Sequence, residues 1–380
     1  MVTNQPLELT VWMNIPSHYQ ADLFRSLTAQ DQVDLMVILT ESLSADRLAL
    51  GWKPDVSDYR SVMLGNASLF QILKSVWSQR RRVHVLGGMW SNRKIMLAFI
   101  LMRLFGVRHL IYSEVPDPLI QRSQLKVMVK HTFARLMKTR RTGVLAISQM
   151  SMRYYLGLGF PEKYAYPFGY FLKSFDAPLQ TPPPERLKLI YIGQLIPRKG
   201  IDLLLEAISN LMTAYPDFSL TLVGDGAERA QYEAQAKPLG DRVQFVGAMP
   251  ADQVRAYLGG FHALILPSRH DGWGVVINEA LSLGVPVILS DGCGAVDLIQ
   301  DGQNGFVFAN KDSRALQAAI EQFLELTPAQ HEQMRRAALQ TGAQIVTDVV
   351  ASYMIRCMRH FLDQTAEKPL PPWKVSSPSS

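Results

Sequence analysis

The sequence predicts an α/β fold of two doubly wound, parallel-sheet domains that face a central cleft. Short apolar runs alternate with longer helical patterns in two series, one before residue 175 and one after residue 187, and this alternation is typical of βαβ units. The chain has 380 residues, 48% of them hydrophobic, which is enough material for two domains of ordinary size. Ligands bind such sheets at the carboxyl ends of the strands, so the cleft is the expected site.

The first domain is expected over residues 1–175. Its candidate strands are the short apolar runs LTVWMNI, VDLMVIL, VHVLGG, VRHLIYSE and GVLAIS. A proline-rich segment, residues 176–186, then interrupts the alternation and indicates a linker.

The second domain is expected over residues 187–345. Its candidate strands are LKLIYIG, LTLVGDG, VQFVG, ALILPS, PVILS and GFVFA, with compositions typical of strands buried in a parallel sheet. Helices are expected around residues 203–212 and 275–283, and a further helix over residues 346–363. Residues 364–380 are rich in proline and serine and are expected to be a disordered tail.

Targeting features point to the cytoplasm. Two cysteines, Cys293 and Cys357, cannot build a disulfide framework and indicate a reducing compartment. The amino terminus carries Glu8 and no basic region, so no secretion signal is expected. The most apolar run, residues 95–102, stops at Arg103, well short of the roughly 20 residues that a membrane span needs.

Positive charge is concentrated in the first half of the chain. Residues 74–141 contain 15 Lys and Arg but only two acidic residues. Within residues 122–141 an apolar helical stripe runs beside a basic row of Arg122, Lys126 and Lys130. We expect this half to lie against an anionic membrane surface on the cytoplasmic side. The alternatives are a helix packed on its own domain and a nucleic-acid-binding surface, although no nucleic-acid-binding motif is recognisable.

Two neighbouring cations follow the first strand of the second series. The loop QLIPRKG places Arg198 and Lys199 just before a helix. Cations beside the unpaired N–H groups of a helix start would form an anion site suited to a diphosphate. The alternative is a pair of solvated basic residues.

A second loop carries acidic residues at a fixed spacing. In PSRHDGWGVVINEALSLGVPV, Asp271 is followed by a glycine-rich turn and then by Glu279 on a helix. Glycines let backbone amides approach a ligand closely, and a carboxylate here could accept two ribose hydroxyls. Taken alone, Glu279 could equally be an acid favoured by the helix dipole.

These motifs together resemble retaining glycosyltransferases of family 4, which are nucleotide-sugar enzymes of the GT-B fold. The family frame PS-x-x-E-G-F-G-x-x-x-x-E-A-x-x-x-G-x-P-V fits the segment above, with Asp271 at the first acid and Glu279 at the second. GQLIPRKG, LVGDGAE, VQFVGAMP and SDGCGAVDLIQDGQNGFVF are similar to successive family segments, so the resemblance covers residues 187–325. The amino-terminal half is similar more loosely.

The resemblance implies a role for each matching residue. Arg198 and Lys199 would hold the donor diphosphate, Glu279 would bind the ribose, and Asp271 would contact the sugar. The helix over residues 346–363 would cross back onto the first domain. The other implied donor-binding residues are Gly193, Gln194, Gly224, Gly226, Gly247, Ala248, Met249, Gly272, Trp273, Gly274 and Val275.

Three positions depart from the family pattern. Gln194 stands where members often have Arg, Asp271 is one methylene shorter than Glu, and Glu114 stands where many members have a histidine. Glu114 could still orient a sugar or an acceptor. Ser17 and His18, in the loop after the first strand, are candidates for contact with the acceptor or the phosphates. No metal site is expected, because the acids form no ligand cluster.

The sequence therefore predicts a metal-independent, retaining hexosyltransferase without a cofactor. Its donor would be a nucleoside diphosphate sugar, and its acceptor a lipid-linked saccharide or glycolipid of bacterial glycan biosynthesis. Three alternatives stay open: a catalytically silent relative that binds a nucleotide sugar, another GT-B enzyme such as an epimerase or a phosphorylase, and a basic nucleic-acid-binding protein.

Overall fold

The computed structural model describes residues 6–45, 55–115, 139–174, 186–363 and 367–374, together with positions 128 and 132. Described residues before Ser174 and after Ile345 form one compact unit, and those from Ser174 to Ile345 form a second. Each unit contains one parallel sheet. The predicted α/β class with two doubly wound sheets is confirmed.

The first unit is built on a sheet with strand order β3-β2-β1-β4-β5-β6-β7. Helices α1 to α4 connect these strands, and a core that includes Trp12, Leu86, Phe99 and Tyr155 lies under them. The strands are β1 (Leu7–Met13), β2 (Val33–Leu39), β3 (Ser61–Met63), β4 (Val83–Gly87), β5 (His109–Ser113), β6 (Thr142–Ile147) and β7 (Ala165–Phe168). The helices are α1 (His18–Thr28), α2 (Leu69–Ser78), α3 (Arg93–Leu104) and α4 (Ser148–Gly157).

The second unit has the strand order β10-β9-β8-β11-β12-β13. All six apolar runs predicted for it form strands, and the Gly, Pro and Ser residues that end several of those runs belong to loops. The strands are β8 (Leu187–Ile192), β9 (Phe218–Val223), β10 (Val243–Gly247), β11 (Ala263–Leu266), β12 (Val287–Ser290) and β13 (Gly305–Phe308). The helices are α5 (Ile201–Leu211), α6 (Arg229–Ala236), α7 (Ala251–Leu258), α8 (Val275–Ser282), α9 (Ser313–Leu324) and α10 (Pro328–Gln344).

A last helix, α11 (Thr347–Leu362), belongs to the first unit and packs on α1. The Ser26 hydroxyl on α1 lies 2.5 Å from Oδ1 of Asp348 and 2.9 Å from the hydroxyl of Thr347. On the other side of α11, the Tyr353 hydroxyl donates to the Pro167 carbonyl at 3.0 Å. These bonds fix the helix against both α1 and β7.

The prediction of a disordered tail is wrong for residues 367–374. This segment ends in a short 3-10 helix, Pro372–Lys374, and only 4% of the Trp373 surface is exposed. The Trp373 ring centroid lies 5.2 Å from that of Phe171 and 5.9 Å from that of Tyr353. The composition of the tail shows no core-forming pattern, but a single indole can bury a large apolar area when aromatic partners are present.

Two predicted segments fall largely outside the described residues. These are the linker over residues 176–186, of which residue 186 is described, and the basic helix over residues 122–141. In the part of the chain that the structure describes, no helix is both long and apolar enough to cross a bilayer.

Candidate functional site

The strand order of the second unit reverses between β8 and β11, which are hydrogen-bonded neighbours. At such a topological switch point the loops after two adjacent strands diverge and leave a crevice at the carboxyl edge of the sheet. The loop after β8 carries Arg198 and Lys199 in a 3-10 turn, Pro197–Lys199. The loop after β11 carries Asp271. The sheet therefore brings the predicted cations and the first predicted acid to one place.

Lys199 and Asp271 form an ion pair across the switch point. The Lys199 Nζ lies 2.5 Å from Oδ2 of Asp271, and the side chains are 13% and 14% exposed. A charge-assisted bond this shielded from water is stronger than a bond between surface charges. An ammonium has three donors, so Lys199 can keep this bond and still reach a second anion.

Two arginines connect the loop after β8 with the loop after β11. Arg198 donates from Nη1 to the His270 carbonyl at 2.8 Å, and Arg269 donates from Nη1 to the Pro197 carbonyl at 2.7 Å. Arg269 also forms a bidentate pair with Asp202, at 2.8 and 2.5 Å. Burial alone would raise the pKa of Asp202, but the Arg269 hydrogen bonds and charge outweigh it and lower that pKa. Arg269 was not predicted from the sequence, although its position in the same loop, between Ser268 and Asp271, could have indicated it.

Close backbone contacts explain two of the glycines at this edge. Gly200 has φ +72°, and a Cβ there would lie 2.1 Å from the Pro267 carbonyl oxygen. A Cβ on Gly224 would lie 1.8 Å from the carbonyl oxygen of Gly193. Because Gly224 also donates its N–H to the Gly247 carbonyl at 2.8 Å, the ends of β8, β9 and β10 are held together. Three of the predicted donor-binding glycines thus lie at one edge of the sheet: Gly193, Gly224 and Gly247.

Two helices begin directly after the loops that follow β8 and β11. Gly200 precedes α5 and Gly274 precedes α8, both with left-handed backbone and neither with a side-chain cap. The first N–H groups of a helix lack intrahelical partners and attract anions. The first turn of α8 contains no acidic residue, and Oδ2 of Asp271 would lie 3.7 Å from a Cβ on Gly274.

Glu279 is the fifth residue of α8 and only 7% exposed. Its Oε1 lies 3.3 Å from Nε of Arg255 on α7. Burial raises the pKa of Glu279, and the charge and hydrogen bond of Arg255 oppose that rise. The carboxylate is therefore a buried acceptor with one cationic partner on a neighbouring helix.

The indole of Trp273, one of the implied donor-binding residues, is buried. It is 3% exposed, and its Nε1 donates to Oδ1 of Asn278 at 2.9 Å. The loop that it anchors carries Gly272, whose carbonyl oxygen would lie 1.9 Å from a Cβ on Gly294. Trp273 thus fixes the shape of the loop between Asp271 and α8.

The remaining predicted donor residues lie around the same edge. Gln194 is exposed, and its carbonyl accepts a bond from the Tyr191 hydroxyl at 2.8 Å. Gly226 follows β9, Ala248 and Met249 follow β10, and Val275 begins α8. Among the described residues, no group of three or more His, Cys, Asp or Glu is placed to hold a metal ion.

Three predicted site residues belong to the first unit. Glu114 follows β5, is half-buried and is hydrogen-bonded to Tyr170; burial, and then the Glu114 charge, raise the pKa of Tyr170 well above its ordinary value. Ser17 precedes α1 without capping it through its side chain. His18 begins α1, and its side chain lies outside the described residues.

The strand order and the charged switch point define a protein of the Rossmann-like α/β class. Residues 176–341 match the family model for glycosyl transferases group 1. This match agrees with the resemblance to GT-B glycosyltransferases recognised in the sequence, and it covers less than half of the chain.

Two relatives are each similar over about two fifths of the chain. The GDP-mannose-dependent alpha-(1-6)-phosphatidylinositol monomannoside mannosyltransferase of Mycolicibacterium smegmatis is 30% identical over 149 residues, 37% of this chain and 39% of that protein. The lipopolysaccharide core biosynthesis glycosyltransferase LpsE of Rhizobium meliloti is 33% identical over 153 residues, 40% of this chain and 42% of that protein. The matches thus span about two fifths of each relative.

A solved structure is similar over nearly the whole chain. HepE of Anabaena in complex with UDP has a TM-score of 0.69 at 18% identity and covers 95% of this chain and all of its own. At this identity the likeness supports the GT-B fold and carries no residue roles.

Proposed function

We propose that this protein is a retaining glycosyltransferase that moves a hexose from a nucleoside diphosphate sugar to an acceptor hydroxyl. The observation that carries the proposal is the ion pair of Lys199 and Asp271 across the switch point of the second sheet. It lies beside the start of α8, whose second turn holds Glu279. The name of the mycobacterial relative specifies GDP-mannose, and the similar HepE structure contains UDP, which agrees with a nucleotide-sugar donor.

The chemistry requires stabilisation of the departing diphosphate. Arg198, Lys199 and the helix starts at Gly200 and Gly274 supply preorganised positive charge, which is worth more in a partly buried site than in water. We propose that this charge suffices without a metal ion or another cofactor. Asp271 would accept a hydrogen bond from a sugar hydroxyl while it orients Lys199. Attack from the face that the diphosphate leaves gives retention.

The other predicted site residues would contact either the donor or the acceptor. Glu279 would accept the ribose hydroxyls, and Gly247, Ala248 and Met249 would lie near the base. Ser17, His18 and Glu114 in the first unit would contact the acceptor or the phosphates.

We propose a lipid-linked saccharide or glycolipid as the acceptor, reached at the cytoplasmic face of the membrane. The names of the two relatives refer to a phosphatidylinositol monomannoside and to the core of lipopolysaccharide, a glycolipid and the saccharide part of another. The sequence of the first unit agrees with an anionic surface, because no Asp or Glu occurs between Asp58 and Glu114. Each cation near an anionic leaflet contributes on the order of 1 kcal/mol to binding.

An exposed aromatic patch lies within this acid-free segment. Phe70 and Trp77 are 70% and 52% exposed and lie one above the other on α2, with exposed Lys74 between them. The Trp77 ring touches that of Phe105 at a centroid distance of 5.2 Å, and the Arg80 guanidinium lies 4.5 Å from the Trp77 centroid. Tryptophan beside arginine is typical of side chains at a membrane interface.

The first experiment is donor depletion. Purified protein is incubated with UDP-, GDP- and ADP-hexoses, with and without a bacterial lipid extract, and the released nucleoside diphosphate is measured. Release from one donor that depends on the extract supports the proposal. Sugar release to water, or no binding of any donor, contradicts it.

Replacement of the central cation tests the assigned chemistry. Lys199→Ala should lower kcat roughly 10²- to 10³-fold, the usual effect of removing one preorganised donor. Lys237→Ala, at an exposed position of the same unit, should leave kcat unchanged. Near-normal turnover of Lys199→Ala would overturn the role of Lys199.

Membrane contact has a separate test with vesicles. Trp77→Ser combined with Phe105→Ser should weaken cosedimentation with phosphatidylglycerol vesicles, whereas donor binding should be unchanged. Equal sedimentation of the variant and the wild type would contradict the proposed contact surface.

A further inference from the structure

The pair of Arg255 and Glu279 joins two helices at the edge of the candidate donor site. Arg255 lies on α7, which begins directly after the Gly247–Met249 turn, and Glu279 lies on α8 beyond the glycine-rich loop. Their contact, Nε to Oε1 at 3.3 Å, therefore links the segment proposed to lie near the base with the residue proposed to bind the ribose. No family motif in the sequence pointed to Arg255.

The burial of the two side chains is unequal. The Glu279 side chain is 9% exposed and that of Arg255 is 30% exposed. A carboxylate this deeply buried is costly unless a cation compensates it. Guanidinium is charged at all relevant pH values, so Arg255 offsets part of the cost of an ionised Glu279 and orients the carboxylate through its contact with Oε1.

The contact with Arg255 leaves the Glu279 carboxylate able to accept further hydrogen bonds. An ionised carboxylate has about four lone-pair sites, and the Arg255 bond uses one on Oε1. A neutral carboxyl would instead carry a proton on one oxygen and lose acceptor capacity. Two vicinal hydroxyls that both donate are matched better by the charged form, which has more acceptor sites and no donor of its own.

We infer that Arg255 is a positioning residue for the donor ribose: it holds Glu279 charged and oriented so that the carboxylate can accept both ribose hydroxyls. This inference rests on the proposed function. Arg255 itself need not touch the donor. Its effect should therefore depend on the ribose hydroxyls and on Glu279, which a purely structural role would not require.

The test measures ligand binding by calorimetry on the full chain. The ligands are the nucleoside diphosphate of the preferred donor and its 2′,3′-dideoxy analogue. Arg255→Gln should weaken binding of the natural nucleotide roughly 10-fold, the scale of a lost bond to a charged group, and should leave binding of the dideoxy analogue unchanged. Arg255→Lys should recover part of the loss, because it restores the charge without the planar geometry.

A double-mutant cycle and a control complete the design. In the Glu279→Gln background, Arg255→Gln should have no further effect. Arg314→Gln, at an exposed position on α9, should bind like the wild type. Equal loss for both ligands, or additive effects in the double variant, would overturn the inference while leaving the proposed function intact. No binding of any nucleoside diphosphate to the wild type would instead overturn the proposed function, and the inference with it.

Discussion

The two sheets share the order of their first six strands but use their switch points differently. Counted along the chain, the second unit has the order 3-2-1-4-5-6, and the first has the same order with a seventh strand beside the sixth, so each has diverging loops after its first and fourth strands. In the first unit those loops are joined through hydrogen bonds to the loop after β2: the Glu41 N–H donates to the Asn14 carbonyl, and Asn92 donates to Oε1 of Glu41 at 2.7 Å. In the second unit they carry the Lys199–Asp271 ion pair. Topology sets where a site can be, and the loop residues decide whether it has charge.

A lysine at a helix start does not by itself form an anion-binding site. Lys94 lies in the first turn of α3, yet its ammonium donates to the Thr40 carbonyl at 3.0 Å and also to the Gly65 carbonyl. That cation stabilises the interior of its own unit. Lys199 is instead paired with the Asp271 carboxylate on the opposite loop, at the edge of the sheet. The difference lies in the partner, which a local sequence motif does not reveal.

The largest expected difference between the units is their response to acid. In the first unit, burial lowers the pKa of both His84 and His109 from 6.5 to about 4. His84 accepts the Trp12 indole N–H on Nδ1 and lies 3.0 Å from the Gln79 carbonyl through Nε2, so its neutral form satisfies both contacts. The unfolded chain takes up these protons first as the pH falls, so stability should be full above pH 6.5 and decline towards pH 4, by up to about 3 kcal/mol for each histidine.

This decline is measured by thermal unfolding across that pH range. His84→Asn keeps an acceptor near the indole and removes one titrating group, so its unfolding temperature should depend less on pH than that of the wild type. If the unfolding temperature of the variant depends on pH as steeply as that of the wild type, His84 does not cause the loss of stability in acid.

The second prediction compares glycines with positive φ in the two units. Gly200→Ala should destabilise the second unit by about 4 kcal/mol, because the new Cβ would overlap the Pro267 carbonyl oxygen in addition to the backbone strain. Gly65→Ala in the first unit, where φ is +38° and no atom lies within 4 Å of the new Cβ, should cost only the strain, about 1 kcal/mol. Denaturant unfolding gives both values, and equal losses would show that close packing at Gly200 is unimportant.

The third prediction concerns the carboxyl-terminal segment. Trp373→Ala should cost about 3 kcal/mol, the lower end of the range for a buried aromatic. Hydrogen exchange should accelerate in β7 and α11 of the first unit and stay unchanged in β8 to β13. A uniform acceleration in both sheets would contradict the placement of this segment in the first unit alone.

Periodicity and composition predicted the central strands of both sheets and the loops that follow them. Two edge strands were missed for local reasons: β3 has three residues, two of them exposed, and β7 contains Pro167, which is tolerated at a sheet edge. In the site, Lys199, Asp271 and Glu279 were identified because their loops carry glycines and charges in a recognisable order. Arg255 in the site and Trp373 in the carboxyl-terminal segment were not predicted, because each acquires its role from a partner that is distant in sequence.

The position of α11 has a consequence for the order in which the protein is made. Residues 186–345 leave the ribosome before α11 does, so the second sheet can close while the first still lacks the helix whose Tyr353 ring stacks on Phe168 at 6.2 Å. Domains generally fold as units during synthesis, and here the unit that is begun first is completed last. Until α11 has left the ribosome it cannot cover Phe168 on β7, and exposed apolar surface of this kind is what chaperones protect during synthesis.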